Sequence, residues 1–164
     1  MKKKCFTILS VLVGLGMAAG FAGCASNSRE FRLQSEFDAA IAGAVTQTLM
    51  NYESAYNKQD LGGILSNFHK DAQIVSEGKI KLLSREQFFK GEFAEVFPET
   101  FKRFPTMALG SPDAFMILPS KDKAVLDVMT TLGEIKVWTK FSMIMDGDRW
   151  LIMKILYRGE RGQS

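Results

Sequence analysis

Cysteine and histidine are almost absent from this sequence of 164 residues. Cys5 and Cys24 are the only cysteines, and His69 is the only histidine. Both cysteines lie near the N-terminus, so the rest of the chain cannot form a disulfide or assemble the Cys and His ligands of a zinc site. We therefore expect no metal ion and no other cofactor.

Familiar catalytic signatures are also missing. Gly62-Gly63 falls in the first turn of a predicted helix and lacks the lysine and Ser/Thr of a phosphate-binding loop. The sequence contains no G-x-S-x-G nucleophile elbow. Nucleotide-dependent and serine-hydrolase chemistry are therefore not expected.

Most of the chain has no excess of charge. The 21 basic side chains exceed the 18 acidic ones only through Lys2, Lys3 and Lys4. The remainder is formally neutral and has no run of Lys or Arg with interleaved aromatic residues. Such a chain lacks the basic footprint that binds a phosphate backbone, so nucleic acid is not expected as a partner.

The N-terminus has the pattern of a secretory leader. A cationic segment at residues 1–4 precedes an apolar segment at residues 6–21, which leads into Ala22-Gly23-Cys24. Ala-Gly-Cys in this position resembles the bacterial lipobox, which implies that residues 1–23 are removed and that Cys24 is acylated, with a tether up to residue 35. The alternative is an uncleaved anchor, since residues 6–25 are long enough to span a bilayer.

A lipidated N-terminus makes the membrane the first expected partner, because several acyl chains together bind firmly. Ala25 follows the cysteine, where an aspartate would favour the inner membrane. We therefore expect a lipid-anchored protein of the cell envelope, on the outer membrane and facing the periplasm if the organism is Gram-negative.

The following segment has the period of an amphipathic helix. Ser35, with Asp38 three residues later, would cap its start. Apolar side chains then recur every three or four residues, at Phe37, Ile41, Val45, Leu49, Tyr52 and Tyr56. The pattern predicts one buried stripe that carries two tyrosine rings into the core at its C-terminal end.

Residues 51–74 combine the end of this helix with a second helix and the start of a strand. Asp60 would cap the second helix, Asp71-Ala72 would open the strand, and the helix would bury Leu61, Ile64, Leu65 and Phe68. A tyrosine-bearing helix, a D-L-x-x-I-L-x-x-F turn and a D-A strand start together resemble the nuclear transport factor 2-like superfamily. That superfamily includes ketosteroid isomerases and SnoaL-like cyclases.

A phenylalanine-rich helix and a run of strands are predicted after this motif. Strands at residues 72–76 and 79–83 would flank Glu77-Gly78, and Ser84 with Gln87 would cap a third helix that Pro98 kinks or ends after Phe97. The C-terminal third predicts strands at residues 107–118 (bent at Gly110-Ser111-Pro112), 123–132, 135–145 and 148–158, with two-residue turns at Gly133-Glu134 and Asp146-Gly147. The first turn would set Asp127 opposite Lys140 and Met129 opposite Trp138.

Helices followed by strands predict an α+β fold. The superfamily resemblance sharpens this to a cone-shaped half-barrel over residues 36–164, with three N-terminal helices packed on a strongly bent, mostly antiparallel sheet. The last strand is apolar on both faces, with Trp150, Ile152 and Leu156 on one and Leu151, Met153, Ile155 and Tyr157 on the other. We expect a second subunit to cover one face, and hence a homodimer through the sheet.

The resemblance also bears on mechanism. In ketosteroid isomerase-like members, a tyrosine of the first helix polarises a carbonyl and an aspartate moves the proton. Tyr52 falls at the tyrosine position, but Ser76 falls at the position of the base, and a serine has no useful basicity near neutral pH. The adjacent Glu77 would point to the opposite face of the strand. The isomerase mechanism is therefore not carried over.

His69 and Asp127 are the catalytic candidates that are left, and each has a structural alternative. His69 would either face the cone as an acid-base group or lie at the C-terminus of the second helix, where a cation is favourable. Asp127 would be either an inward-facing carboxylate or the partner of Lys140 across the hairpin.

An apolar pocket inside the cone is the other predicted site. Its candidate residues are Tyr52, Tyr56, Phe89, Phe93 and Trp138, each of which core packing would equally explain. The sequence favours a membrane-anchored domain that binds a small hydrophobic ligand or a protein partner without catalysis. The alternative is a SnoaL-like, dehydratase or isomerase-type enzyme that uses an unrecognised acid-base pair.

Overall fold

The computed structural model describes residues 35–77 and 85–158. Residues 35–41 and residues 42–158 belong to two separate units of the chain. The elements in chain order are helix α1 at residues 35–57, helix α2 at Leu61–Ser66, strand β1 at Phe68–Glu77, strand β2 at Gln87–Phe89, a 3-10 turn at Lys90–Glu92, helix α3 at Phe93–Arg103, strand β3 at Met107–Ile117, strand β4 at Lys123–Leu132, strand β5 at Ile135–Asp146 and strand β6 at Arg149–Arg158.

The six strands form one sheet in the order β2-β1-β6-β5-β4-β3. β1 and β6 pair in parallel, and every other neighbouring pair is antiparallel. Aromatic side chains of α1 and α3 contact those of β1 and β5, so the helices cover one face of the curved sheet. The predicted α+β fold, with helices on a bent and mostly antiparallel sheet, is confirmed.

The buried stripe of α1 follows the predicted spacing over most of its length. Val45, Leu49, Tyr52 and Tyr56 are all buried. Phe37, in the first unit, is instead 53% exposed. The prediction that the stripe begins at Phe37 is therefore wrong.

The second helix is shorter than predicted. Asp60 caps it as expected, since its carboxylate accepts a hydrogen bond of 2.9 Å from the Gly63 N–H. Asn67 then ends it, donating its backbone N–H to Ile64 and its side-chain amide to the Gly63 carbonyl. The Asn67 carbonyl accepts from Ile152 of β6. Phe68 therefore begins β1 rather than closing the helical face, and the strand starts three residues before Asp71.

The third helix differs most from its prediction. Residues 87–89 form strand β2, because Phe88 pairs with Ile74 of β1 and is buried there. The helix begins at Phe93 and runs through Pro98 to Arg103, so Pro98 does not end it after Phe97. Phe97 before the proline is buried and Phe101 after it packs on Tyr56, so α3 contacts the core on both sides of Pro98. The predicted strand at residues 79–83 and the cap at Ser84 lie outside the described residues.

The β4–β5 hairpin has the predicted register. Asp127 pairs with Lys140 and Met129 with Trp138, and Gly133 takes a φ of +58° in the turn. The β5–β6 turn lies one residue later than predicted, since Asp146 pairs with Arg149. Gly147, with a φ of +64°, therefore occupies the first position of that turn.

A bulge in β6 changes which side chains face the helices. Ser142 pairs with Lys154 but Met143 pairs with Ile152, which leaves Met153 as the extra residue. Beyond the bulge the alternation is reversed, so Ile155 and Tyr157 are buried on the same face as Trp150 and Ile152. The predicted division of β6 into two faces is wrong for this reason.

Two bulges bend the edge strand β3. Leu109 pairs with Thr130, Pro112 with Val128 and Ala114 with Asp127, and the register shifts in both intervals. The bend predicted at Gly110-Ser111-Pro112 is thus a bulge within one continuous strand. The bulge interrupts the β3–β4 ladder beside α1, where residues of β3 and of the helix line the same cavity.

Candidate functional site

Interlocking aromatic rings fill the space between α1, α3 and the sheet. The Tyr52 ring packs edge-to-face on Phe68, with centroids 5.3 Å apart, and Phe68 lies 5.0 Å from Phe93. Tyr56 contacts Phe101 at 5.2 Å. The predicted pocket residues Tyr52, Tyr56 and Phe93 are therefore brought together, but as packed core.

The other two predicted pocket residues lie elsewhere. Phe89 is 52% exposed, because as a strand residue it points away from the face that buries Phe88. Trp138 alternates with the buried Val137 and Thr139 of β5, so it lies on the outer face of the sheet. Neither side chain belongs to the aromatic core.

The three tyrosine hydroxyls of this core differ in their hydrogen bonding. Tyr56 donates a hydrogen bond of 2.7 Å to the Phe104 carbonyl. The Tyr52 hydroxyl is buried and has no partner in good geometry among the described residues. Burial, and then the neighbouring Tyr157, raise the pKa of Tyr52 well above its ordinary value, and burial raises the pKa of Tyr157 to about 12. These phenols stay protonated near neutral pH.

Ser76, a hydroxyl residue, lies at the position where the resemblance to ketosteroid isomerases would require a catalytic base. Ser76 pairs with Tyr157 of β6, and in a parallel pair both side chains point to the same face. Glu77, next along the strand, is exposed and pairs with Arg158. The fully buried polar side chains other than the tyrosines are all neutral in the described residues, namely Thr48, Asn67, Thr130 and Thr139. Among the described residues, the buried side chains therefore include no carboxylate or imidazole to take a proton from Tyr52.

His69 lies at the start of β1, near the turn that joins β5 to β6. It takes neither of its two predicted positions. Its Nδ1 is 3.8 Å from Oδ2 of Asp71 and accepts a hydrogen bond of 3.2 Å from the Asp71 N–H. Its Nε2 is 3.9 Å from Oδ2 of Asp146. Asn67 is the residue that caps α2. The imidazole thus stands between two exposed carboxylates, away from the tyrosines.

Asp127 is explained by its cross-strand neighbour. Its carboxylate lies 3.7 Å from the Lys140 ammonium, and Leu126 and Val128 on either side of it are buried on the inner face. The residue therefore points outward in an ion pair. This geometry removes it as a partner for the interior tyrosines.

The interior leaves little free volume beside Tyr56. A cavity of about 20 Å³ is lined by Tyr56, Ile74, Val96, Phe97, Thr100, Phe104, Leu132 and Tyr157. That volume is close to the minimum for one water molecule. In this conformation the cavity is too small for a hydrophobic ligand.

A larger groove lies where α1 passes the bulged edge strand, and the sequence reasoning missed it. Its volume is about 220 Å³, and its lining residues are Thr46, Leu49, Met50, Glu53, Leu109, Gly110, Ser111, Pro112 and Val128. We call this site the lateral groove. The available signal was Gly110-Ser111-Pro112, which indicated a bend, but the helix facing that bend is set only by the tertiary fold.

Residues 35–77 and 85–158 contain neither a metal-ligand cluster nor a membrane-spanning helix. In these ranges no group of three or more His, Cys, Asp or Glu side chains is placed to hold a metal ion. Their helices are too short or too polar to cross a bilayer.

Solved structures share the fold at low sequence identity. An NTF-2-like protein of unknown function from Shewanella oneidensis matches with a TM-score of 0.55 and 15% identity, over 72% of this chain and 98% of that one. A ketosteroid isomerase-like protein from Erwinia carotovora matches with a TM-score of 0.54 and 17% identity, over 71% and 93%. A putative scytalone dehydratase from Novosphingobium aromaticivorans matches with a TM-score of 0.57 and 7% identity, over 76% of this chain and 87% of that one.

These matches define the fold and leave the activity open. No protein-family profile and no curated protein sequence matches the chain significantly. The structural neighbours are nuclear transport factor 2-like, ketosteroid isomerase-like and scytalone dehydratase-like folds. The chain therefore has the nuclear transport factor 2-like cone fold, and one fold of this kind can carry many functions.

Proposed function

We propose that the protein is a lipoprotein, held at a membrane by acyl chains on Cys24, whose cone domain binds a small apolar molecule without catalysis. The anchoring rests on the leader pattern and on Ala22-Gly23-Cys24, which lie outside the described residues. The tether would keep the domain within a few nanometres of the bilayer surface, where apolar compounds concentrate.

Metabolic labelling with a tagged fatty acid tests the anchor. The wild-type chain is expected to carry the label and to partition with membranes, while Cys24→Ser loses both properties. Cys5→Ser is the matched control, because it removes the other cysteine and should keep the label. Equal labelling of Cys24→Ser and the wild type would disprove the lipoprotein assignment.

The binding function rests on one contrast within the domain. In the part of the chain that the structure describes, the buried core around Tyr52 has no carboxylate or imidazole, whereas the lateral groove offers about 220 Å³ of mostly apolar space. Leu49 and Val128, both buried, form its floor. Apolar concave sites with a few polar groups are the usual form of small-molecule sites. We therefore place the ligand in the lateral groove and not among the packed tyrosines.

Native mass spectrometry of the full-length protein, extracted from its own membranes, tests this placement. We expect a small-molecule adduct on the wild type that Thr46→Trp removes, because the indole would fill the groove. Gln47→Trp, one residue along α1 and not in the groove, should retain the adduct. An adduct that persists on Thr46→Trp, or a wild-type protein without one, would contradict the proposal.

An enzymatic function is the second candidate, and one observation favours it. The Tyr52 hydroxyl is buried, and its neighbour, the Tyr157 hydroxyl, does not reach it in good hydrogen-bond geometry, which is unusual for a buried donor outside functional sites. Incubating the recovered adduct with purified protein separates the two candidates. Recovery of the unchanged compound supports binding; conversion that Tyr52→Phe abolishes would establish the enzyme.

A further inference from the structure

The lateral groove carries a negative charge that the protein does not neutralise. Glu53 is the only ionisable residue in its lining. The Glu53 side chain is half-buried and makes no hydrogen bond or ion pair within residues 35–77 and 85–158. Asp113 follows the lining residue Pro112 on β3 and is exposed, so the nearest charge along that strand is also negative. A carboxylate beside an apolar floor, with no Lys or Arg in the groove lining and no ion pair of its own, is suited to a cationic ligand.

Hydroxyl and backbone groups also line the groove, from both α1 and β3. Thr46 and Ser111 contribute hydroxyls from α1 and β3. Gly110 and Ser111 fall in the β3 bulge and have no Cα partner on β4. The hydroxyl and backbone carbonyl groups supply acceptors for an N–H donor. On α1, the lining residues Thr46, Met50 and Glu53 follow one side of the helix at spacings of four and three residues.

The size of the groove limits the ligand. A protein cavity of about 150 Å³ holds one benzene molecule, so about 220 Å³ holds one ring with a short side chain. Leu49 and Val128 would contact the ring, while Glu53 would contact the end of the side chain.

We propose that the lateral groove binds a small primary amine with an apolar body, its ring on Leu49 and Val128 and its ammonium on the Glu53 carboxylate. This inference rests on the proposed binding function, which it extends from any small apolar molecule to a cationic one. The ammonium is expected to improve binding about tenfold over a neutral analogue, which is the ratio that one charge-assisted hydrogen bond supplies at a half-exposed site.

Two probes of equal size test the charge preference. Phenethylamine and phenethyl alcohol have the same shape and differ in an ammonium or a hydroxyl group. Each is titrated into full-length protein in lipid nanodiscs, with empty nanodiscs measured in parallel. Binding is followed by the ¹³C-methyl resonance of Met50, which lines the groove and is 56% exposed. We expect the amine to bind about tenfold more tightly than the alcohol.

Two variants complete the design. Glu53→Gln should bring the two affinities to within about twofold by weakening only the amine, since the amide keeps the size of the side chain and loses its charge. Glu95→Gln, at an exposed position on α3 outside the groove, should leave the tenfold ratio intact. Equal affinities in the wild type, or a ratio unchanged in Glu53→Gln, would overturn the amine assignment while leaving the groove as a binding site. No shift of Met50 with either probe would overturn both proposals.

Discussion

Tyr52 and Tyr56 are separated by one helical turn and differ in a single hydrogen bond. Both rings are buried, but only the Tyr56 hydroxyl reaches a carbonyl, that of Phe104. Replacing Tyr56 with Phe leaves this carbonyl without its partner, and we expect the free energy of unfolding to fall by about 1 to 3 kcal/mol. Urea denaturation followed by circular dichroism measures the change.

Tyr52→Phe is the matched control for that prediction. It removes a hydroxyl that has no partner in good geometry, so the free energy of unfolding should change by less than about 0.5 kcal/mol or increase. A loss as large as that of Tyr56→Phe would mean that the Tyr52 hydroxyl has a stabilising partner in solution, and the contrast drawn between the two tyrosines would fail.

The sequence could predict the burial of these rings but not their partners. Spacings of three and four residues put Leu49, Tyr52 and Tyr56 on one helical face, which is a local property of the chain. The Phe104 carbonyl lies 48 residues from Tyr56 in sequence, so that hydrogen bond depends on the packing of α3 against α1. The same holds for Glu53, whose role depends on how β3 bulges beside it.

At the level of the elements, local rules succeeded where the period was regular. The β4–β5 register followed from one two-residue turn, because side chains alternate strictly from that turn onward. Strand β6 was predicted wrongly because a bulge at Met153 interrupts that alternation, and no residue type at that position marks it. Phe89 continues the four-residue spacing of Phe93 and Phe97, with Phe88 alongside, and this spacing predicts a helix. Pairing with β1 outweighs helix propensity there.

The larger of the two cavities described above, the lateral groove, lies beside a bulged strand. The regular ladder of β4 with β5 lies over packed aromatic side chains, whereas the irregular ladder of β3 with β4 lies beside the lateral groove. The two register shifts of the edge strand β3 bend it locally, since each bulge adds one unpaired residue. The sequence pattern predicts a pocket at the aromatic side chains because they are large and apolar. The lateral groove depends instead on Gly110-Ser111-Pro112 in the bulged strand.

For the whole molecule, the outer face of the sheet is the remaining surface to be explained. One row of this face crosses four strands, from Val75 of β1 through Leu156 of β6 and Lys140 of β5 to Asp127 of β4. Beside it lie Met129 and Trp138. Most of these side chains are only half-buried in one chain. We expect this half-buried and largely apolar face to pair with the same face of a second copy in a homodimer.

Sedimentation of residues 25–164 tests the homodimer. The wild type should sediment as a dimer at about ten micromolar, and Met129→Glu should raise the dissociation constant at least about tenfold, because the new carboxylate would be buried without a partner. Ile135→Glu, at an exposed position in the β4–β5 hairpin, should remain dimeric. A wild-type monomer, or an unaffected Met129→Glu dimer, would rule out this face as the interface.

Strand β6 is the last of the described strands along the chain but the third of the six in the sheet. β1 and β2 lie on one side of it and β5 on the other, so neither half of the sheet can join the other until β6 has left the ribosome. Pairing of residues so far apart in sequence closes a long loop, which slows folding. The N-terminal strands thus stay unpaired with the rest while the chain is being made. On the proposal that the protein is exported, this delay keeps the chain extended long enough to be threaded through a translocation channel before its sheet closes.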